Sequence, residues 1–155
     1  MQVILDLQNA VDSKELPESK KIALWIETTL TAAKAEFENP EMTIRVVSSE
    51  ESQQLNSEYR NKEKPTNVLS FPFEAPEMIP VEDLGEFLGD LVICEKIVQQ
   101  EAKEQKKSLE SHWAHMVVHG VFHLLGFDHI DDQEAEEMEG LEVIVLSELG
   151  FDNPY

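Results

Sequence analysis

Short apolar segments and longer amphipathic segments alternate along this chain. Four segments rich in β-branched or other apolar residues predict strands, QVILDL at 2–7, MTIRVVS at 42–48, a short one at 68–71 and FLGDLVIC at 87–94. The fourth is almost continuously apolar, so we expect it at the centre of a sheet, buried on both faces. The third lies among prolines, which cannot donate to a neighbouring strand, so we expect it at an edge. These prolines are Pro65, Pro72, Pro76 and Pro80.

Five segments predict helices. Between the first two strands, apolar residues recur every three or four positions, which indicates an amphipathic crossover helix. These residues are Ile22, Leu24, Trp25, Leu30, Ala33 and Phe37. Ser48 and Asp131 each precede a glutamate by three residues, a spacing typical of helix starts, and Ser108 can cap another helix. The predicted helices lie between Pro17 and Pro40, from Ser48 to about Tyr59, from Glu95 to Lys107, from Ser108 to Gly126 and from Asp131 to near Gly150.

These elements predict an α+β fold, a small mixed sheet of about four strands packed with about five helices. At 155 residues the chain has the length of a single domain, 1–155. Its one cysteine, Cys94, excludes an intramolecular disulfide, and its apolar neighbours indicate a buried side chain. The first residues lack the pattern of a signal peptide, and no stretch reaches the roughly 20 apolar residues of a membrane span. We therefore expect a cytoplasmic protein without a membrane partner.

Acidic residues dominate the charge of the chain. Asp and Glu number 32 against 12 Lys and Arg, which gives a net charge of −20. Nucleic-acid binders usually carry the opposite balance, so an anionic substrate requires a local positive site. The acidic run DDQEAEEMEGLE at 131–142 falls on the last predicted helix, and we interpret it as a solvated outer face rather than a metal or partner site.

Four of the five histidines lie between His115 and His129. His119 and His123 are four residues apart, so on a helix both rings lie on one face and can reach one cation. His115 is too far along the axis to share that ion with His123. Gly126 permits a turn that returns His129 to the site. Three imidazoles leave one position of a tetrahedral zinc open, as in catalytic sites, although nickel, copper and iron also accept imidazole ligands.

The residues near the three predicted ligands are not assigned to the metal. For His112 and His115 we predict hydrogen-bonding or surface roles. Asp128 either supports the third ligand or bonds to the turn. The spacing H-x-x-x-H-x-x-G-x-x-H also occurs in metzincin proteases, which carry a glutamate general base after the first histidine. Here that position is Gly120, so peptide hydrolysis by that mechanism would need a base from elsewhere.

HGVFHLLGFDH resembles the histidine signature of the YbeY-type endoribonucleases, and LNSEYRNKEKPTNVLSFPFE and LGDLVIC agree with the same family in order. The resemblance implies a small α+β domain with zinc in a cleft. It implies a single-strand-specific endoribonuclease that matures the 3′ end of 16S rRNA and acts in ribosome quality control. On this chain the implied ligands are His119, His123 and His129, and the basic residue of the family's YR motif is Arg60.

Arg60 is one of only two arginines, and Lys62 and Lys64 follow it closely. A guanidinium can bind phosphate in a two-pronged geometry and stabilise developing charge, so we assign phosphate stabilisation to Arg60. We assign His119 to the catalytic group as well as to the metal. No residue is identified as the general base. A second group of basic residues offers another possible RNA contact: Lys103, Lys106 and Lys107.

The expected partners are single-stranded ribosomal RNA and the ribosome or a ribosomal protein, but neither DNA nor a membrane. At this net charge, affinity for free RNA should be low and strongly salt-dependent, which favours delivery of the substrate by a protein partner. Two alternatives remain open. One is a zinc hydrolase that acts on a small molecule or peptide, and the other is a non-catalytic, metal-stabilised ribosome-binding protein.

Overall fold

The computed structural model describes residues 1–75, 77–80 and 85–155, so Pro76 of the predicted loop lies outside the described residues. Within these ranges the chain forms four strands and five helices, which confirms the predicted α+β fold. In chain order they are β1 (Ile4–Asn9), α1 (Ser19–Ala32), β2 (Glu41–Val47), α2 (Ser49–Arg60), β3 (Val68–Pro72), β4 (Phe87–Cys94), α3 (Glu95–Glu104), α4 (Leu109–Leu124) and α5 (Asp132–Glu148).

The strands form one mixed sheet in the order β1-β2-β4-β3. Strands β1, β2 and β4 run parallel, and β3 pairs antiparallel with β4. The proline-flanked strand therefore lies at an edge and the most apolar strand lies inside, as the sequence predicts. A parallel pair needs a crossover connection, and α1 provides it between β1 and β2.

The side chains of β4 alternate between two apolar layers. Leu91 and Ile93 are fully buried in the larger layer, which α1, α4 and α5 supply with apolar residues. Val92 and Cys94 lie in a smaller cluster on the other face, where residues of α2 and α3 pack against them. Helix α4 contacts α1, α3, α5, β3 and β4, so most of its sides are buried, and two of its four histidines, His112 and His115, are buried as well.

The first helix is shorter than its apolar spacing predicts. It ends at Ala32 because Lys34 adopts a left-handed conformation with φ 58°, and the Ala35 N–H donates to the Leu30 carbonyl at 3.0 Å. This bond closes the last turn of the helix. Phe37 still packs against the core, but from the connection to β2. The extension of this helix to Phe37 is therefore wrong.

Within the residues that the structure describes, no helix is both long and apolar enough to cross a membrane.

Candidate metal centre

Helix α4 carries two of the three predicted ligands. Ser108 caps its start by accepting a hydrogen bond from the Ser111 N–H at 3.1 Å. His119 and His123 lie one turn apart, both partly buried, with their Nε2 atoms 3.1 Å apart. The four-residue spacing therefore brings the two ring nitrogens to one point, as the sequence predicts.

The third predicted ligand comes from the turn after α4. Gly126 has φ 97°, a left-handed conformation that favours glycine and ends the helix. Asp128 Oδ1 accepts a hydrogen bond from the His129 N–H at 2.7 Å, so this aspartate bonds to the turn. The ring centroid of His129 lies 5.1 Å from that of His123 and 5.7 Å from that of His119. The turn thus returns His129 to the helix.

The three histidines form a compact group of nitrogen donors. The ligand atoms of His119, His123 and His129 all lie within 4.8 Å of one another. In a tetrahedral site with zinc–nitrogen bonds of about 2.0 to 2.1 Å, the ligand nitrogens are about 3.3 Å apart, so small side-chain rotations suffice to close this group on an ion. Burial, together with the charges of the other two histidines, lowers the pKa of His123. This favours the neutral imidazole, the form that binds a metal.

A carboxylate that the sequence interpretation missed contacts this group. Glu142 of α5 is fully buried, and its Oε2 lies 3.0 Å from His119 Nδ1. It ends the acidic run that we interpreted as a solvated face, and at this residue the interpretation is wrong. Spacing contained the signal, because Glu142 lies four residues from both Met138 and Leu146, and both are buried. The burial of Glu142 thus depends on which face of the helix it occupies, and not on the charge of its side chain or of its neighbours.

Three donors compensate the burial of the Glu142 carboxylate. Burial alone would raise the pKa of Glu142, but hydrogen bonds from His115 and His119 lower it to about 2. The third donor is the Tyr155 hydroxyl, 2.9 Å from Glu142 Oε1. Burial and the nearby carboxylate raise the pKa of Tyr155, so its hydroxyl stays protonated and donates. Nothing in the sequence around Tyr155 indicated this contact.

The two remaining histidines of α4 have hydrogen-bonding roles, one of the two options predicted for them. His112 Nε2 lies 2.9 Å from Glu101 Oε1, and His115 Nε2 lies 2.8 Å from Glu142 Oε1. Both histidines are buried. His115 therefore contacts the metal candidate in two ways, by its hydrogen bond to Glu142 and by its ring, which packs edge to face on that of His119 with centroids 6.3 Å apart.

The histidine group opens onto a cavity of about 560 Å³. One wall is the end of α4 with the turn that follows it, and the other is β3 with the end of α2. The second wall includes Tyr59, Arg60, Asn67 and Phe71. Arg60 and the three histidines, which lie far apart in the sequence, thus line one cleft.

Arg60 is the last residue of α2, and Asn61 closes the helix in a left-handed conformation with φ 55°. Among the residues described, no ion pair or side-chain hydrogen bond involves the Arg60 guanidinium. The guanidinium of the other arginine, Arg45, is paired with a carboxylate. Its Nε and Nη2 donate to the two oxygens of Glu51 at 2.7 and 3.1 Å. Of the two arginines, Arg60 is therefore the one available to a ligand.

The loop that leads from Arg60 to β3 is held against α2. Ser52 Oγ donates to the Thr66 carbonyl and accepts from the Thr66 N–H, both at 2.9 Å. Asn56 Nδ2 donates to the Lys64 carbonyl at 2.8 Å. These contacts use buried polar side chains of α2, and they fix the wall of the cleft that carries Arg60.

The second group of basic residues, for which the sequence suggested an RNA contact, is only partly exposed. Lys103 and Lys106 are exposed, but the Lys107 Nζ atom is buried, and this burial lowers the pKa of Lys107. The Lys107 side chain is partly buried and its ammonium lies below the surface, which argues against the suggested RNA contact at this residue. Asn67 lines the cleft, and its amide donates to the Glu101 carboxylate at 3.1 and 3.3 Å.

Comparisons with known proteins agree with this architecture. The sequence profile of the family described as Endoribonuclease YbeY matches residues 6–150. The solution structure of TM1509 from Thermotoga maritima has a similar fold, with a TM-score of 0.59 and 27% identical residues. That alignment covers 96% of this chain and 89% of the Thermotoga chain.

Proposed function

This chain belongs to the YbeY endoribonuclease family, and from that premise we propose that it is a metal-dependent, single-strand-specific endoribonuclease of the cytoplasm. Its proposed substrate is ribosomal RNA, at the 3′ end of 16S rRNA and in ribosome quality control. One observation carries the proposal. Three histidines with converging nitrogens share a cleft with an arginine that is available to a ligand.

His119, His123 and His129 would hold the ion, and we propose zinc because three neutral imidazoles suit it. When bound, the ion supplies a Lewis acid that polarises a phosphate oxygen and lowers the pKa of water. The protein contributes the orientation of the ligands. Glu142 holds His119 Nδ1, and Asp128 holds the backbone of His129.

Arg60 is the proposed phosphate-binding residue. Its guanidinium offers several N–H donors in a planar arrangement, which can contact two oxygens of one phosphate. Negative charge increases on these oxygens during cleavage, so a guanidinium that contacts them stabilises the transition state more than the substrate. The loop contacts of Ser52 and Asn56 keep this wall of the cleft in position.

Two aromatic residues support a single-stranded substrate. Tyr59 and Phe71 line the cleft beside Arg60, and their rings pack edge to face with centroids 5.1 Å apart. Tyr59 remains 65% exposed, which leaves much of its ring open to a ligand. Unpaired bases can stack on such rings, whereas the bases of a duplex are already stacked on one another.

The net charge supports delivery by a partner. At −20, the protein as a whole repels the RNA backbone, although Arg60 provides a local cation. Affinity for free RNA should therefore be low and fall steeply with salt. A ribosome or ribosomal protein that binds this chain would supply the missing affinity by holding the RNA near the cleft.

The alternative, a zinc hydrolase that acts on a small molecule or peptide, predicts a deep apolar pocket and a reaction that does not need Arg60. Apolar residues such as Leu69 and Phe71 line part of the cleft, but it also contains Arg60 and Asn67, which suit a polar, phosphate-bearing substrate. The arginine beside the histidines therefore favours the nuclease over the alternative.

The deciding experiment compares cleavage of a single-stranded 16S-derived RNA with that of the same sequence in a duplex. Arg60→Ala should lower cleavage by about a hundredfold to a thousandfold, the usual effect of losing a transition-state donor, with the fold retained. Arg60→Lys should recover only part of this loss. His119→Ala should abolish both metal binding and cleavage.

Lys20→Ala is the matched control, because it removes one positive charge from an exposed position outside the cleft. It should cleave RNA like the wild type. Equal cleavage by wild type and Arg60→Ala, or equal cleavage with and without bound metal, would contradict the proposal.

A ribosomal partner is tested by adding small ribosomal subunits to the protein and the RNA. The added subunits should raise the cleavage rate at a given RNA concentration.

A further inference from the structure

The carboxylate of Glu142 has a partner for each oxygen although no solvent reaches it. Its exposed fraction is 0%, and three donors surround it, His115, His119 and Tyr155, at 2.8 to 3.0 Å. An ionised carboxylate is strongly disfavoured in the interior unless such donors compensate it. A buried helix position four residues from Met138 and Leu146 would ordinarily carry an apolar residue, so the retained charge requires an explanation.

The contact with His119 explains it. His119 Nδ1 lies 3.0 Å from Glu142 Oε2, while His119 Nε2 lies 3.1 Å from His123 Nε2. When Nδ1 donates its proton to the carboxylate, Nε2 carries the lone pair and is directed at the histidine group. The contact therefore selects the tautomer of His119 that can bind a cation, and it also fixes the plane of the ring.

The carboxylate itself is held from the other side. Glu142 Oε1 accepts hydrogen bonds from His115 Nε2 at 2.8 Å and from the Tyr155 hydroxyl at 2.9 Å. The Tyr155 ring packs edge to face on His115, with centroids 5.3 Å apart. Phe151, at the start of the segment that carries Tyr155, packs on Trp25 in the same geometry at 6.1 Å. The segment after α5 is thus anchored to the core, and Tyr155 reaches the interior of the site.

We propose that Glu142 is a positioning residue for the metal ligand His119, and that Tyr155 in turn positions Glu142. The segment 151–155 is then part of the metal site. Among the residues described, no other carboxylate contacts the ring nitrogens of His119, His123 or His129, so this contact orients one ligand in particular. This inference rests on the proposed function, because it takes the histidine group to be a metal site.

The test measures metal binding rather than RNA cleavage. Zn²⁺ affinity is obtained by competition with a chromophoric chelator, and the coordination of the site from the visible absorption of the Co²⁺-loaded protein. Glu142→Gln keeps the size of the side chain but removes its charge, and it should weaken Zn²⁺ binding by about tenfold to a hundredfold. It should also change the Co²⁺ spectrum, which a role in folding alone would not do.

Two further variants isolate the contact. Tyr155→Phe removes one donor and keeps the ring, and it should weaken binding by roughly twofold to tenfold, the usual effect of one hydrogen bond. Glu136→Gln makes the same charge change at an exposed position of α5 and should leave the affinity and the spectrum unchanged. If Glu142→Gln does not fold, the inference is tested with Tyr155→Phe alone. A Zn²⁺ affinity and a Co²⁺ spectrum equal to those of the wild type in this variant would overturn the inference.

His123→Ala separates the two proposals. Loss of Zn²⁺ binding in His123→Ala, with Glu142→Gln and Tyr155→Phe binding Zn²⁺ like the wild type, is one outcome. That result would support the metal site and contradict the positioning role of Glu142 and Tyr155. If the wild type binds no metal, the proposed function fails, and the inference fails with it.

Discussion

His119 Nε2 and His123 Nε2 lie 3.1 Å apart, so two imidazoles from successive turns of one helix direct their nitrogens at one point. Without a cation, this approach is stable only if one ring donates a hydrogen bond to the other. A cation removes that restriction, because both rings can then offer lone pairs. The folded protein should therefore bind a transition metal more tightly than the unfolded chain does, and bound metal should stabilise the fold.

Zinc should therefore raise the melting temperature of the metal-free protein. At a free concentration of about 100 times its dissociation constant, a ligand that binds only the folded state adds about 2.7 kcal/mol. For a domain of this size that corresponds to a shift of about 5 to 11 °C. Differential scanning calorimetry with and without Zn²⁺ measures the shift. His123→Ala should show none, and an equal shift in this variant would place the ion elsewhere.

Tyr59→Ala should raise KM for single-stranded RNA more than it lowers kcat, because we assign to its exposed ring a contact with a base and no part in the reaction itself. Loss of one stacking contact costs about 1 to 3 kcal/mol, which corresponds to an increase in KM of about 5-fold to 150-fold. Tyr59→Phe keeps the ring and is the matched control, with KM near that of the wild type. Steady-state kinetics on one oligonucleotide provide the measurement. A change confined to kcat would argue against stacking.

The sequence predicted local features of this molecule well. Ser48, Ser108 and Asp131 cap three helices as their spacing indicates, each by accepting from the backbone N–H three residues later. The metal candidate was predictable for the same reason, because His119 and His123 share a helix face and Gly126 marks the turn to His129. Such features depend on neighbours within a few residues, and helix geometry fixes their placement.

Contacts between distant segments were not predictable in this way. One local feature was also missed, because the end of α1 depends on Lys34 in a left-handed conformation that its side chain does not indicate. The position of Arg60 beside the histidines depends on how α2 and α4 pack around the sheet, and it was suggested by the family resemblance and by the chemistry of a guanidinium rather than by local spacing. Glu142 was missed because its acidic neighbours suggested solvent exposure, although its spacing from buried residues indicated the opposite.

The stability of the metal-free protein should depend on His112 below neutral pH. Burial lowers the pKa of His112, although its hydrogen bond with Glu101 opposes this effect; Lys107 and His115 lower the pKa further. The folded state therefore binds a proton less readily than the unfolded chain, whose histidine titrates near 6.5. The contribution to stability is fully present above about pH 6.5 and is lost as the pH falls below that value.

Urea unfolding between pH 7.5 and 5.5, in the presence of a chelator, measures this dependence. His112→Gln removes the titrating group and retains an amide that can donate to Glu101, so its free energy of unfolding should fall less over the same interval. His123 also has a lowered pKa, but it is present in both proteins and cancels in the comparison. Identical pH dependence in the two proteins would contradict the assignment to His112.

Gly120→Ala should destabilise the protein because α4 lies directly on β4 at this residue. A Cβ atom built on Gly120 would lie 2.7 and 2.8 Å from the two methyl carbons of Leu91, which is fully buried. Adding a methyl group to a packed core usually costs about 1 to 3 kcal/mol. The same contact explains why the glutamate that metzincins carry at this position has no space here. Because Gly120 follows His119, displacement of the helix should also weaken Zn²⁺ binding.

Gly140→Ala is the matched substitution, since a Cβ on Gly140 of α5 meets no atom within 4 Å. In a helix, this exchange should stabilise the protein by about 0.5 to 1 kcal/mol. Chemical denaturation of the two variants should therefore give changes of opposite sign. Stabilisation of both variants would contradict this prediction. It would mean that the Leu91 side chain rotates away from the added methyl group, so that α4 does not need a glycine at position 120 to pack against the sheet.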